Sequence, residues 1–278
     1  MRGMGTIRRR LAAAIAGTAA LAAAGCRLDD RFLYDPRPTG IDTWRATAAR
    51  TRAEPVELRR DGAVLRGWWL RPPGAAGRGP AVTYFGGNAE EPSWLLAHVG
   101  RLGGRSLLVV PYRGYGASTG APHERALYDD ALALHDWLAA RPDVDPGRIA
   151  AWGNSLGTGV ATWLASRRTL DAVILSSPYD SIAALARHHL PALAFLLTQP
   201  YDSIGRAPSI RTPMLAIAGL RDTIVPPEHG ERLVAAWGGP VRVLRLPLAA
   251  HDDLPAHDEH WREVAAMLAD PRAATPAR

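Results

Sequence analysis

The run from residue 150 to 157, Ala-Ala-Trp-Gly-Asn-Ser-Leu-Gly, constrains this chain more than any other. It reads Gly-x-Ser-x-Gly, with apolar, strand-like residues before it and a helix-like stretch, 158–166, after it. A serine hydroxyl is a weak nucleophile and needs presenting to a base and a carbonyl together. A sharp strand-to-helix turn does this by lifting Ser155 out at its tip. Gly153 and Gly157 leave room where a Cβ would clash. The motif therefore demands a strand before it and a helix after it.

The rest of the chain supplies the same alternation. Residues 56–60 and 64–70 read as two strands joined at Asp61-Gly62, a hairpin signal. Short apolar strands are expected at 81–85, 106–110, 172–175, 214–218 and 241–246. Helical spacing of apolar residues marks 92–102, 123–140, 227–237 and 257–268. Strands alternating with helices imply an α/β fold, a mostly parallel central sheet with helices on both faces. Between 179 and 207 Pro191 and Pro200, with Pro208 just beyond, interrupt the rhythm, which predicts a short lid insertion at 179–207. The expected domain spans 55–270. Before it lies a tether and entry segment, 26–54, and after it a flexible tail, 271–278.

In open α/β sheets, catalytic groups gather beyond the carboxyl ends of the strands. Asp222 follows the strand at 214–218, and His251 follows the strand at 241–246. With Ser155 they form a candidate triad: nucleophile, orienting acid and general base. Asp180 and Asp202, in the insertion, read as turn or helix-cap residues. Asp252 and Asp253 read as ordering the histidine loop or as solvated. His257 and His260 sit one helical turn apart, but no third metal ligand stands at suitable spacing. An oxyanion hole needs two N–H donors. The residue after the nucleophile, Leu156, offers one, and Asn88, in the Gly-Gly-Asn loop after the strand at 81–85, offers the other.

Several stretches together resemble the α/β-hydrolase superfamily, in particular its Bem-like, abhydrolase-domain serine hydrolases. They are Tyr84-Phe85-Gly86-Gly87-Asn88-Ala89, Tyr112-Arg113-Gly114-Tyr115-Gly116, Gly153-Asn154-Ser155-Leu156-Gly157, Ser177-Pro178-Tyr179-Asp180, Gly219-Leu220-Arg221-Asp222 and His251-Asp252-Asp253-Leu254. The resemblance implies the α/β-hydrolase fold and hydrolysis of ester, thioester or amide bonds without metal or cofactor. Gly86 stands where that family has histidine. A carboxylesterase or thioesterase acting on a small acyl substrate is the leading expectation. A peptidase or amidase on the same triad and a non-catalytic binding module on the same fold are the rivals.

The N-terminus bears on where such an enzyme works. Arg2, Arg8, Arg9 and Arg10 supply four of the net +6 charges, and residues 11–24 are apolar but short for a bilayer span. The stretch ends in Leu21-Ala22-Ala23-Ala24-Gly25-Cys26 and resembles a bacterial lipobox. Residues 1–25 are thus expected to be a lipoprotein-type signal peptide, with Cys26 as the lipid attachment site. The protein would be exported and anchored on the periplasmic side of a membrane of the cell envelope. Cys26 is the sole cysteine, so no disulfide can form within the chain. No basic run interleaved with aromatics follows the N-terminus, so nucleic acid is not an expected partner.

Overall fold

The computed structural model describes residues 33–192 and 194–273. The expected signal peptide, Cys26, Leu193 and residues 274–278 of the expected tail lie outside the described residues. Eight strands form one sheet: β1 (Glu54–Arg60), β2 (Ala63–Leu70), β3 (Gly79–Phe85), β4 (Ser106–Val109), β5 (Val144–Asn154), β6 (Val173–Ser176), β7 (Met214–Gly219) and β8 (Val241–Leu246). Their order is β1-β2-β4-β3-β5-β6-β7-β8. The pairs β1–β2 and β2–β4 are antiparallel, and the others are parallel. The β1–β2 hairpin turns on Asp61-Gly62, and Arg60 pairs with Ala63.

Side chains alternate across a strand, so a sheet covered on both faces needs apolar residues at every position. The central strands obey this. Ala81 and Phe85 of β3, Ile149 and Ala151 of β5, and Met214 and Ala216 of β7 enter one core layer. Val82 and Tyr84, Ala150 and Trp152, and Leu215 and Ile217 enter the other. Three helices cover the first face: α2 (Glu124–Ala139), α3 (Leu156–Ala165) and α5 (Pro227–Ala236). Helix α1 (Gly40–Thr51), the 3-10 segment Pro92–Arg101 and α6 (Asp258–Ala269) cover the second. The remaining helix, α4 (Ile182–His189), lies in the insertion.

Two parts of the plan differ from the sequence reading. The second half of the expected tether is α1, whose Trp44 joins the core. Trp44 Nε1 donates to Gly67 O at 2.7 Å, and Trp68 Nε1 donates back to Trp44 O at 3.0 Å. Only Trp44, Thr47 and Ala48 of this helix are buried, too sparse a stripe to read as a period. The expected flexible tail begins with a 3-10 turn, Pro271–Ala273, in which Pro271 is buried. The lid insertion starts with Ser181 capping α4, its Oγ accepting from Ala184 N at 3.0 Å.

Candidate active site

Ser155 sits at the turn from β5 into α3 with φ +49° and ψ −117°, a strained backbone for a residue bearing a Cβ. The turn is held by Ser155 N, which donates to Ser176 O at 2.9 Å, and by Thr158 Oγ1, which donates to Ser155 O at 2.7 Å. It is also tight. A Cβ on Gly153 would come within 2.7 Å of Thr158 Cα, and one on Gly157 within 2.7 Å of Gly86 O.

The structure brings Ser155, His251 and Asp222 together. His251 Nε2 lies 2.9 Å from Ser155 Oγ, and His251 Nδ1 lies 2.7 Å from Asp222 Oδ2. The other Asp222 oxygen accepts from Ile224 N at 2.9 Å and Val225 N at 2.8 Å. Burial alone would push the Asp222 carboxyl up. The hydrogen bonds from His251, Val225 and Ile224 outweigh it and hold the group below its ordinary value. An ionised Asp222 keeps the proton on Nδ1, so Nε2 is free to accept from the serine.

The rival acids have other work. Asp253 Oδ1 accepts from Ala250 N at 2.7 Å and orders the histidine loop; Asp252 is exposed. Asp202 Oδ1 accepts from Gly205 N at 3.0 Å, a turn contact. Asp180 differs from its reading as a turn or cap. It is buried, 2.8 Å from His229 Nδ1 and 2.7 Å from Arg232 Nε, and it joins the insertion to α5. His260 is a core histidine against Trp152 and Trp261. Burial, with Arg101 and His257 nearby, lowers its pKa to about 4.

Leu156 N opens helix α3, where the helix dipole favours negative charge. Asn88 N comes from the loop after β3. Both residues border the cavity beside Ser155. Among the described residues neither N–H meets a protein acceptor. The neighbouring Gly87 N–H is turned away, donating to Glu90 Oε2 at 2.6 Å.

Sequence reasoning missed Glu90. Its carboxylate accepts from four donors: Gly87 N, Asn154 Nδ2 at 3.0 Å, Tyr84 Oη at 2.8 Å and Trp94 Nε1 at 2.9 Å. It clamps the loop after β3 to Asn154, the residue before Ser155. Three of its donors are sequence neighbours in no recognisable pattern, and the fourth, Asn154, is 64 residues away. Glu90 also bears on Gly86, where a Cβ would press within 3.3 Å of its carboxylate oxygen. From sequence alone, Gly86→His is expected to leave activity similar or raise it modestly. With Glu90 held by four donors, the same substitution is now expected to lower it. Glu90→Gln must set an amide NH₂ against donors already in place, a mismatch of about 1–3 kcal/mol per unsatisfied buried group. Both variants should lower kcat more than they raise KM, as steady-state kinetics on a soluble ester would read. Unchanged kcat in Glu90→Gln would remove the clamp from the account.

Two lobes flank Ser155. The first is an apolar cavity of about 280 Å³ lined by Leu185, Leu190, Leu196, Leu197, Val225 and others. The second, of about 770 Å³, is more polar and bordered by Asn154, His251, Asp252 and Asp253. Among the apolar insertion residues, Leu190, Leu196 and Leu197 line the first lobe. Phe195, in the same insertion, points outward and does not line the lobe. Three consecutive residues of the entry segment reach this region. Leu33 lines the apolar lobe. Tyr34 Oη donates to Gln199 Oε1 at 2.7 Å and meets Tyr201 Oη at 2.8 Å. Asp35 N donates to Asn88 Oδ1 at 2.7 Å, which Tyr115 Oη also reaches.

Known proteins share these features in different degrees. The family model for X-Pro dipeptidyl-peptidases of the S15 family matches residues 102–191, a stretch that holds Ser155 but neither Asp222 nor His251. The uncharacterized protein Rv2307c of Mycobacterium tuberculosis is 38% identical over 227 residues, 80% of each chain. The alpha/beta hydrolase domain-containing protein WAV2 of Arabidopsis thaliana is 29% identical over 277 residues, 89% of this chain and 88% of that one. Among solved structures, the esterase Pf2001 of Pyrococcus furiosus superposes with a TM-score of 0.65 at 20% identity, covering 84% of this chain and 97% of the other. At that identity the likeness is one of fold.

Proposed function

Because this chain belongs to the α/β-hydrolase superfamily, in one family with the mycobacterial protein Rv2307c, we propose that it is a serine hydrolase of ester or thioester bonds. The observation that carries the reading is the unbroken line Ser155 Oγ, His251, Asp222, beside two N–H groups that meet no acceptor among the described residues.

In this mechanism His251 Nε2 takes the Ser155 proton as Oγ attacks the carbonyl carbon. The tetrahedral oxyanion accepts from Leu156 N and Asn88 N. His251 then returns the proton to the leaving oxygen or sulfur, and an acyl-enzyme remains. Water, deprotonated by the same imidazole, attacks next, and its proton goes back to Ser155 as the acid leaves. The acyl group fits the apolar lobe and the leaving group the polar one. Each step uses side chains and backbone groups already in the site.

The apolar lobe is small, so short to medium acyl chains are the expected substrates, with weak activity on long triglycerides. Each methylene that the lobe buries contributes up to about 0.8 kcal/mol, roughly fourfold in kcat/KM. An acyl-length series of nitrophenyl esters tests this. Leu197→Trp should move the optimum to shorter chains, whereas Phe195→Ala should leave the profile unchanged. A wild-type optimum at long chains contradicts the assignment. Matched nitroanilides test the peptidase reading, and a fluorophosphonate probe that fails to label Ser155 supports the non-catalytic one.

Attachment through Cys26 belongs to the same proposal. Among the described residues no helix is long and apolar enough to cross a membrane. Intact-mass analysis should find a mature chain that begins with an acylated Cys26; an unmodified cysteine contradicts it.

A further inference from the structure

Among the described residues six large hydrophobic side chains are conspicuously exposed, and three of them ring the apolar lobe. Leu190 at 48% and Ile224 at 53% border the cavity. Phe195, 79% exposed, projects from the 3-10 turn Ala194–Leu196 between two residues that line it. The ring is fastened across the mouth, where His189 Nε2 lies 2.9 Å from Ile224 O. Arg187, three residues before Leu190 in the last turn of α4, is exposed and borders a separate polar pocket with Glu228 and Arg232. Apolar side chains grouped at the mouth of a cavity mark an interaction surface rather than scattered exposure.

Where the chain enters identifies the occupant. Leu33 lines this same lobe. Residue 26 is seven residues upstream, at most about 25 Å away when fully extended. Whatever holds the N-terminal segment is therefore held close to the mouth. An apolar tip beside a basic residue suits the headgroup boundary of an anionic bilayer. Three side chains around an opening cannot supply the roughly 800 Å² per partner that a stable protein pair needs.

We propose that the rim formed by Leu190, Phe195 and Ile224 docks on an anionic lipid bilayer, so that the apolar lobe opens toward the membrane surface. Docking does not depend on the hydrolase reading. Its corollary does: on that reading, acyl substrates reach Ser155 from the lipid side.

The test places a fluorophore at position 195. Full-length protein carrying Cys26→Ser and Phe195→Cys is labelled with an environment-sensitive nitrobenzoxadiazole. It is then added to vesicles of phosphatidylethanolamine and phosphatidylglycerol. Emission should shift to the blue and rise severalfold. The same label at Arg59→Cys, on the exposed side of β1, should not respond. Arg187→Glu should weaken the response at 195. An unchanged signal at 195 in protein that floats with the vesicles overturns the proposal. So does a blue-shifted signal without vesicles, which means a second copy if it grows with protein concentration and the chain's own N-terminal segment if it does not. Fluorophosphonate labelling of Ser155 in the same samples reads the hydrolase assignment separately, so either can fail alone.

Discussion

Ser155→Ala is expected to lower ester turnover by about 10⁴- to 10⁶-fold while the melting transition stays cooperative. His251→Ala should cost about as much, and the double variant little more, because the pair acts as one unit. Asp222→Asn should cost about 10⁴-fold. The geometry gives the reason. Ile224 N and Val225 N both donate to Asp222 Oδ1, so an asparagine there would keep its oxygen toward them. Its NH₂ would then face His251 Nδ1, which would have to accept. The ring proton would move to Nε2, the atom that must take the serine proton. Stability carries a second signature. The Asp222 carboxyl is held below its ordinary value. Its contribution is present at neutral pH and fades as pH falls through that depressed folded value. Asp222→Asn should flatten this acid limb, and Ser155→Ala should keep it. The readouts are kcat/KM and urea midpoints across the acid range. Normal turnover in Ser155→Ala ends the hydrolase reading.

The second large effect is structural. A Cβ at Gly157 would lie 2.6 Å from the Phe85 carbonyl carbon and 2.7 Å from Gly86 O. These are backbone atoms, with no flexible side-chain end that could swing aside. Relief requires α3 to move away from β3 or the oxyanion loop to shift. Gly157→Ala should therefore cost about 3 kcal/mol of stability and most of the activity as well. Gly87→Ala is a graded comparison, since its Cβ would meet Asn154 Nδ2 and Glu90 Oε2 at 3.3 Å. Gly100→Ala is the control, because nothing lies within 4 Å of its Cβ. Urea denaturation with an activity assay checks all three. A fully stable, active Gly157→Ala would mean that the turn is looser than the structure has it.

What could be read from the sequence was what local pattern encodes. Strands packed on both faces read as apolar runs, and β8 has the bounds expected of it, Val241–Leu246. Asp222 and His251 were visible because each follows a strand directly. Other features depend on partners far along the chain. Glu90 is marked by Asn154, and Asp180 by His229 and Arg232. Helix α1 escaped because a helix packed along a narrow stripe keeps most of its positions polar. The outward turn of Phe195 was not legible, because an apolar residue among leucines reads as buried whether it faces in or out. Turn geometry decides that, and the segment's prolines hide its period.

Residues 33–35 have a consequence for how this enzyme can be rearranged. Leu33 lines the apolar lobe, Tyr34 holds Gln199 and Tyr201 at the end of the insertion, and Asp35 N–H steadies Asn88. A gene fusion joined just before β1 would deliver the whole sheet and all three triad residues. It would also leave the end of the insertion unlatched and the Asn88 loop slack. The portable unit thus begins at least twenty residues upstream of the first strand. Foreign sequence can be joined without loss only above that point.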